Sequence, residues 1–166
     1  HASMIDEVAG AGLRPDAVVL SVGGGGLLCG VVEGLRRNGW NDVPVVAVET
    51  VGADSFAQSL AAGERIELAA ISNIATSLGA RKVAEQAFAL AQSHPVRSIV
   101  VSDAEAVDAC LRFMDDHRVV VEPACGASLA VAYDAAASLA QYSNVLVVVC
   151  GGVTATVGQL QKWARS

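Results

Sequence analysis

Lysine is nearly absent from this sequence; Lys82 and Lys162 are all it has. Neither follows the glycine run described below, so a nucleotide P-loop, which needs Gly-Lys-Ser/Thr, is excluded. Histidine is sparse too. His1, His94 and His117 form no cluster with Ser21, Cys125 or Cys150, and each reads as a surface residue. Nucleophilic serine or cysteine chemistry therefore has no imidazole to activate it. The four cysteines, Cys29, Cys110, Cys125 and Cys150, contain no C-x-x-C pair and lie among apolar or small residues. Reduced thiols in a cytoplasmic protein fit better than disulfides, and metal ligation has no supporting spacing. No apolar run approaches the roughly 18 residues of a helical membrane span. No basic, apolar leader opens the chain, so the expected location is cytoplasmic. The net charge of −6 argues against a nucleic-acid partner.

What is present is core material. Of 166 residues, 53% are hydrophobic and 17% charged, enough for a single well-buried domain over 1–166. The chain is organised around residues 17–37, AVVLSVGGGGLLCGVVEGLRR. A buried strand over 17–22 leads into Gly23, Gly24, Gly25 and Gly26, and then into a helix. Leu27, Leu28, Val31, Val32 and Leu35 recur on one helical face. Four glycines remove every Cβ from the turn, so the backbone can take positive φ and bring its N–H groups close to a ligand. The first N–H groups of the helix are unpaired at its positive end. Such a turn takes an anion, most often a phosphate. A turn that uses glycine only for packing needs one or two, and no packing use for four is evident in the sequence. In so acidic a chain the site works through backbone dipoles, not a basic surface.

The rest of the chain alternates. The spacing predicts a helix over 1–12 with Ser3 as N-cap, and strands over 43–48, 98–101, 119–121 and 145–149. Helices are expected over 53–62, closed by Gly63, and over 81–93, 102–117 and 124–141, with a last one running to Ser166. Ser102 and Glu105 have capping-box spacing. Residues 66–80 read as loop with room for a short helix. The strands are continuous apolar runs, which implies burial on both faces. The expected fold class is α/β, three-layered, with a mostly parallel sheet and helices on both faces. Ligands in such sheets bind beyond the carboxyl ends of the strands. The glycines, Glu49, Glu122 and Cys150-Gly151-Gly152 collect there. A dinucleotide fingerprint is a near miss: Gly24 and Gly26 fit and Glu49 ends the next strand, but Cys29 holds the third glycine position.

SVGGGGLLCGVVEGL, then VPVVAVET and GADSF, then VEPACGASLA and VVVCGG, resemble in content and order the serine dehydratase branch of the fold-type II pyridoxal-phosphate (PLP) enzymes. The resemblance covers essentially the whole chain. It is a resemblance to the C-terminal half of such an enzyme, the C-terminal part of a large cofactor-binding domain with a tryptophan-synthase-β-like fold. The family's Schiff-base lysine lies in an N-terminal Ser-x-Lys-x-Arg segment, and its asparagine at the cofactor's 3′-oxygen also lies upstream. Neither is in this sequence, so the resemblance assigns no catalytic residue here. It implies that Gly23, Gly24, Gly25, Gly26 and Leu27 hold the cofactor phosphate, that Ser77 stands against the ring, and that Cys150 faces the pyridine nitrogen. A neutral thiol is a weak partner for that nitrogen. It would not keep the ring fully protonated, which favours β-elimination over chemistry that needs a strong electron sink. The carbonyls of Gly23, Ala53, Leu78 and Ala80, with the side chains of Glu49 and Ser55, match the family's monovalent-cation site, usually a potassium site. Hard oxygen ligands suit such an ion. Glu49 also has a plainer reading as the cap of the next helix.

The chain departs from the family in two places. Ser77 stands where mammalian relatives carry alanine, and Val153-Thr154 stand where relatives carry Ser-Asn. Glu122 and Cys125 match the family and read as structural. The resemblance implies a PLP-dependent L-serine or L-threonine dehydratase, a homodimer acting on a small amino acid and needing the N-terminal half. This chain, inactive alone, would supply the phosphate grip, the ring-nitrogen contact and the cation. The alternatives are a stand-alone PLP- or anion-binding module without chemistry, and a nicotinamide dinucleotide-binding domain.

Overall fold

A computed structural model describes residues 1–134 and 138–165. Its sheet has four parallel strands, β1 (Ala17–Ser21), β2 (Val45–Thr50), β3 (Val96–Val101) and β4 (Val145–Val147), in the order β3-β2-β1-β4. Val18 lies opposite Val45, Val45 opposite Val96, and Ala17 opposite Val145. The two inner strands are buried at every position, and the two edge strands only in part.

Successive strand residues face opposite ways, so each inner strand feeds two cores. Val18, Leu20 and Val22 point to one face. There α1 (Ser3–Gly10), α2 (Gly26–Arg37), α3 (Ser55–Ala62) and α4 (Glu85–Ala91) bring Ile5, Val31, Leu35, Phe56 and Ala87 against them. Val19, Val46 and Val48 point to the other face. They meet Ala124, Ala127 and Val131 on a later helix, Pro123–Tyr133. With α5 as Asp103–His117, that helix is α6, and the last is α7, Val157–Trp163. These three pack around Cys110, Cys125, Leu129 and Leu160. Helices therefore cover both faces of a parallel sheet, as the apolar runs imply. The carboxyl ends of β1 and β4 open onto the glycine turn and the Cys150 loop.

Several boundaries differ from expectation. Residues 119–121 are not a strand. Arg118 ends α5 in the left-handed region at φ 61°, and the segment then meets the loop after β4 through a single backbone bond, Glu122 N–H to Gly151 O at 3.1 Å. One bond is not a ladder, and Val119 and Val120 remain exposed. α6 ends at Tyr133, short of Gln141. Asp134 leaves helical geometry, residues 138–140 form a turn, and residues 135–137 of the expected helix lie outside the described residues. Ser166, expected in the last helix, also lies outside them. Ser3 is not an N-cap. Ala2 already has helical φ and ψ, so Ser3 is the first helical residue and its hydroxyl caps nothing. α4 begins only at Glu85, because Ala84 stays extended and donates its N–H to the Gly24 carbonyl at 3.0 Å. His94 is not a surface residue. It is buried, and its Nε2–H donates to the Val43 carbonyl at 2.9 Å. The capping box of Ser102 and Glu105 is present, as is the closure of α3 by left-handed Gly63.

Candidate cofactor site

The glycine turn is shaped by two constraints. Gly25 has φ 93°, and a Cβ there would lie 2.5 Å from the Ala87 Cβ. A Cβ at Gly23 would lie 3.0 Å from the Leu78 Cα. These two glycines therefore do have a packing use, which the sequence did not disclose. Gly24 and Gly26 do not: a Cβ at either would meet nothing within 4 Å. The carbonyls turn towards protein. Gly24 O accepts from Ala84 N–H and Gly25 O from Cys29 N–H, each at 3.0 Å. The amides turn away. Among the described residues, no N–H from residue 23 to residue 28 donates to any backbone or side-chain acceptor. Six successive free donors at the positive end of α2 form an anion cradle.

The cradle forms one wall of a cavity of about 270 Å³. Gly23, Gly24, Gly25, Gly26 and Leu27 line it together with Ser77 and Cys150, so the structure brings all the expected cofactor contacts to one place. Ser21, Leu78, Glu122 and Ala124 complete the lining. Lys82 and Lys162 are exposed and stand elsewhere. No basic side chain lines the cavity among the described residues, so an anion there has only amides to bind it.

Cys150 N–H donates to the Cys125 Sγ at 3.3 Å, and the two thiols interact. Cys125 receives the Cys150 S–H together with the amides of Cys150 and Gly151, which lower it to about 7. Its hydrogen bond to Cys125 holds Cys150 above the ordinary thiol range, although the residue is exposed. Cys150 is therefore a neutral thiol at physiological pH. Glu122 was read as merely structural, yet its carboxylate lines the cavity. Burial pushes it up, but hydrogen bonds from Ser77 and from the hydroxyl and amide of Thr154 outweigh burial and keep it below the usual glutamate range. Ser21 was also missed as a lining residue; its Oγ accepts from Ser128 N–H at 3.1 Å. Both sit at the start of α6 or the end of β1, and that position was their signal.

The expected cation ligands are partly assembled. Gly23 abuts Leu78, and Ala53 and Leu78 share one apolar cluster. Among the described residues, nothing donates a hydrogen bond to the carbonyls of Gly23, Ala53 and Ala80, while that of Leu78 accepts Ala80 N–H at 2.7 Å. The Ser55 hydroxyl is buried without a partner. The fully buried Glu49 caps α3: its two oxygens accept Phe56 N–H at 2.9 Å and Ala57 N–H at 2.7 Å. Burial raises it to about 7 against those two bonds. The plainer reading of Glu49 thus holds, and a carboxylate buried at a helix start is not placed to grip a ribose. Three free carbonyls and an orphaned hydroxyl are still what a cation of low charge density needs.

Residues 1–151 match the family described as pyridoxal-phosphate dependent enzyme. The chain belongs to that family. Among curated members, L-serine dehydratase/L-threonine deaminase of Bos taurus is 46% identical over 169 residues, covering 96% of this chain and 52% of its own length. A serine dehydratase-like protein of Mus musculus is 47% identical, covering 98% of this chain and 52% of its own length. Among solved members, a fungal L-serine ammonia-lyase from Rhizomucor miehei superposes with a TM-score of 0.93 at 37% identity, over 100% of this chain and 55% of that one. The chain spans about half the length of the curated relatives it matches.

Proposed function

We propose that this chain is the phosphate-gripping, C-terminal part of a PLP-dependent L-serine or L-threonine dehydratase. Residues 1–166 form one domain in this reading, and the complete enzyme is a homodimer. The observation that carries the reading is the row of free amides from residue 23 to residue 28 in a cavity without a basic side chain. Ser77 and Cys150 line the same cavity as the glycine turn and would be the residues to meet the ring of a cofactor held there by its phosphate. PLP, when bound, would supply the electron sink for removing water from a β-hydroxy amino acid; the enamine released would then take up water and give pyruvate or its homologue and ammonia. The protein's part is grip and orientation. The amides of residues 23–28 neutralise the phosphate. The neutral Cys150 thiol would offer the ring nitrogen only a weak hydrogen bond, which suits β-elimination better than chemistry that needs a strong electron sink. A potassium ion held by the carbonyls of Gly23, Ala53 and Ala80 and the hydroxyl of Ser55 would tie β1 to α3. The lysine that forms the covalent link and moves the α-proton belongs to the other half.

Titration of the chain with PLP and with NAD, followed by intrinsic fluorescence, tests the reading. Saturable binding of PLP and none of NAD is expected, with no turnover of L-serine by the chain alone. NAD binding in preference to PLP would overturn it.

A further inference from the structure

Ser77 and Thr154, which belong to the two places where the chain departs from the family it resembles, are 77 positions apart (154 minus 77) yet both stand beside the Glu122 carboxylate. Glu122 Oε2 accepts the Thr154 N–H at 3.1 Å and also the Thr154 hydroxyl, and Ser77 lines the same cavity wall beside this carboxylate. The Glu122 N–H in turn donates to the Gly151 carbonyl at 3.1 Å. The loop from Cys150 to Thr154 is thus held at two points by one residue. Gly152 presses on the same segment, since a Cβ there would lie 2.3 Å from the Val120 oxygen. On the other side, Ser77 belongs to the short 3₁₀ turn Thr76–Leu78, whose Leu78 abuts Gly23 of the cradle. A continuous path of contacts runs from the anion cradle through residues 77–78 to Glu122 and on to Cys150. Glu122 is only 7% exposed, so this carboxylate is held in place and not solvated freely.

We propose that Ser77, Glu122 and Thr154 form a polar clasp that sets the span between the anion cradle and the Cys150 thiol, with Glu122 as a positioning residue. The span matters because a ligand that engages both walls would carry its phosphate on a short arm from its ring, so only a narrow range of spans would let both ends engage. A clasp that joins the walls fits the cavity to that length before the ligand arrives, which reduces the ordering cost of binding. The same side-chain bonds hold the Cys150 loop, whose amide in turn reaches Cys125. Releasing the clasp frees Cys150 without touching the cradle.

The test uses the full-length protein and the variants Ser77→Ala, Thr154→Val, their double, Glu122→Gln and Glu122→Ala. The first readout is the rate at which iodoacetamide alkylates Cys150 without cofactor, located by peptide mass mapping. The second is the absorption maximum of bound PLP. The clasp predicts faster alkylation in each single variant and a double variant that departs from the product of the singles by about threefold or more, as for residues that share a partner. Glu122→Gln keeps an oxygen for Thr154 and stays near the parent rate, whereas Glu122→Ala alkylates fastest. The cofactor spectrum shifts in the same order. A multiplicative double variant, a parental rate in Glu122→Ala, or a Glu122→Gln as fast as Glu122→Ala would each overturn the clasp. If Glu122→Ala does not fold, the Ser77/Thr154 cycle decides. The spectral readout rests on the PLP reading and the alkylation readout does not. Failure of PLP to bind with the alkylation cycle intact would refute that reading and leave the clasp standing.

Discussion

Gly24 and Gly25 are neighbours with different tasks, and substitution separates them. Gly25→Ala forces a side chain into left-handed backbone, at about 1–2 kcal/mol for that conformation alone, and drives its Cβ into Ala87. Its unfolding midpoint in urea should fall clearly. Gly24→Ala meets no atom within 4 Å and should leave the midpoint unchanged. It does place a methyl group in the cradle, so PLP affinity should drop on the order of tenfold, the scale of losing a hydrogen bond to a charged group. Unchanged affinity in Gly24→Ala would place the anion elsewhere. His94 gives a pH dependence at the same scale. Burial lowers its pKa below 6.5 despite the bond to Val43 O, so the folded state binds the proton less well than the unfolded chain. Its neutral-state contribution is therefore fully present above pH 6.5 and is lost as pH falls through the folded value. Replacing His94 with glutamine should flatten thermal stability against pH in that window.

Among the elements, those with a local signal were legible in the sequence. β1 and β2 announce themselves as unbroken apolar runs because both of their faces are covered. α5 begins where the Ser102 and Glu105 pair says it should, since a capping box is a bond between residues three apart. Features that depend on distant partners were not legible. Residues 119–121 have the composition of a strand but find only Gly151 to pair with. Ala84 stays extended because Gly24, 60 positions earlier (84 minus 24), accepts its N–H. His94 and Glu122 owe their roles to Val43 and to Ser77 and Thr154, which no spacing rule connects to them. Cys150 was placed by resemblance; its neutral state follows from Cys125, 25 positions away. Caps give the direct check at this scale. Ser102→Ala should cost about 1 kcal/mol of stability in chemical denaturation, whereas Ser3→Ala should cost nothing measurable, because no cap bond exists there.

At the scale of the whole molecule, the sheet puts every candidate contact at one end. Parallel strands all point the same way, so the turns after β1, β2 and β4 share the carboxyl edge, and the cradle, Glu49 and Cys150 follow from that. No helix among the described residues is long and apolar enough to cross a membrane. The proposed cation site belongs to this scale because its candidate ligands come from the turn after β1, the start of α3 and the 76–80 segment. Potassium should raise the thermal midpoint relative to lithium, and Ser55→Ala should remove most of that difference by deleting the unpartnered hydroxyl. An equal response of parent and variant would contradict a site at Ser55. The central claim is that bare amides, without a basic side chain, hold the cofactor's phosphate. The most direct measurement is the amide NMR shifts of residues 23–28 during titration with inorganic phosphate, PLP and pyridoxal. The account predicts that phosphate and PLP move these six resonances together and that pyridoxal, lacking the phosphate, leaves them in place; equal shifts with pyridoxal, or none with phosphate, would contradict it.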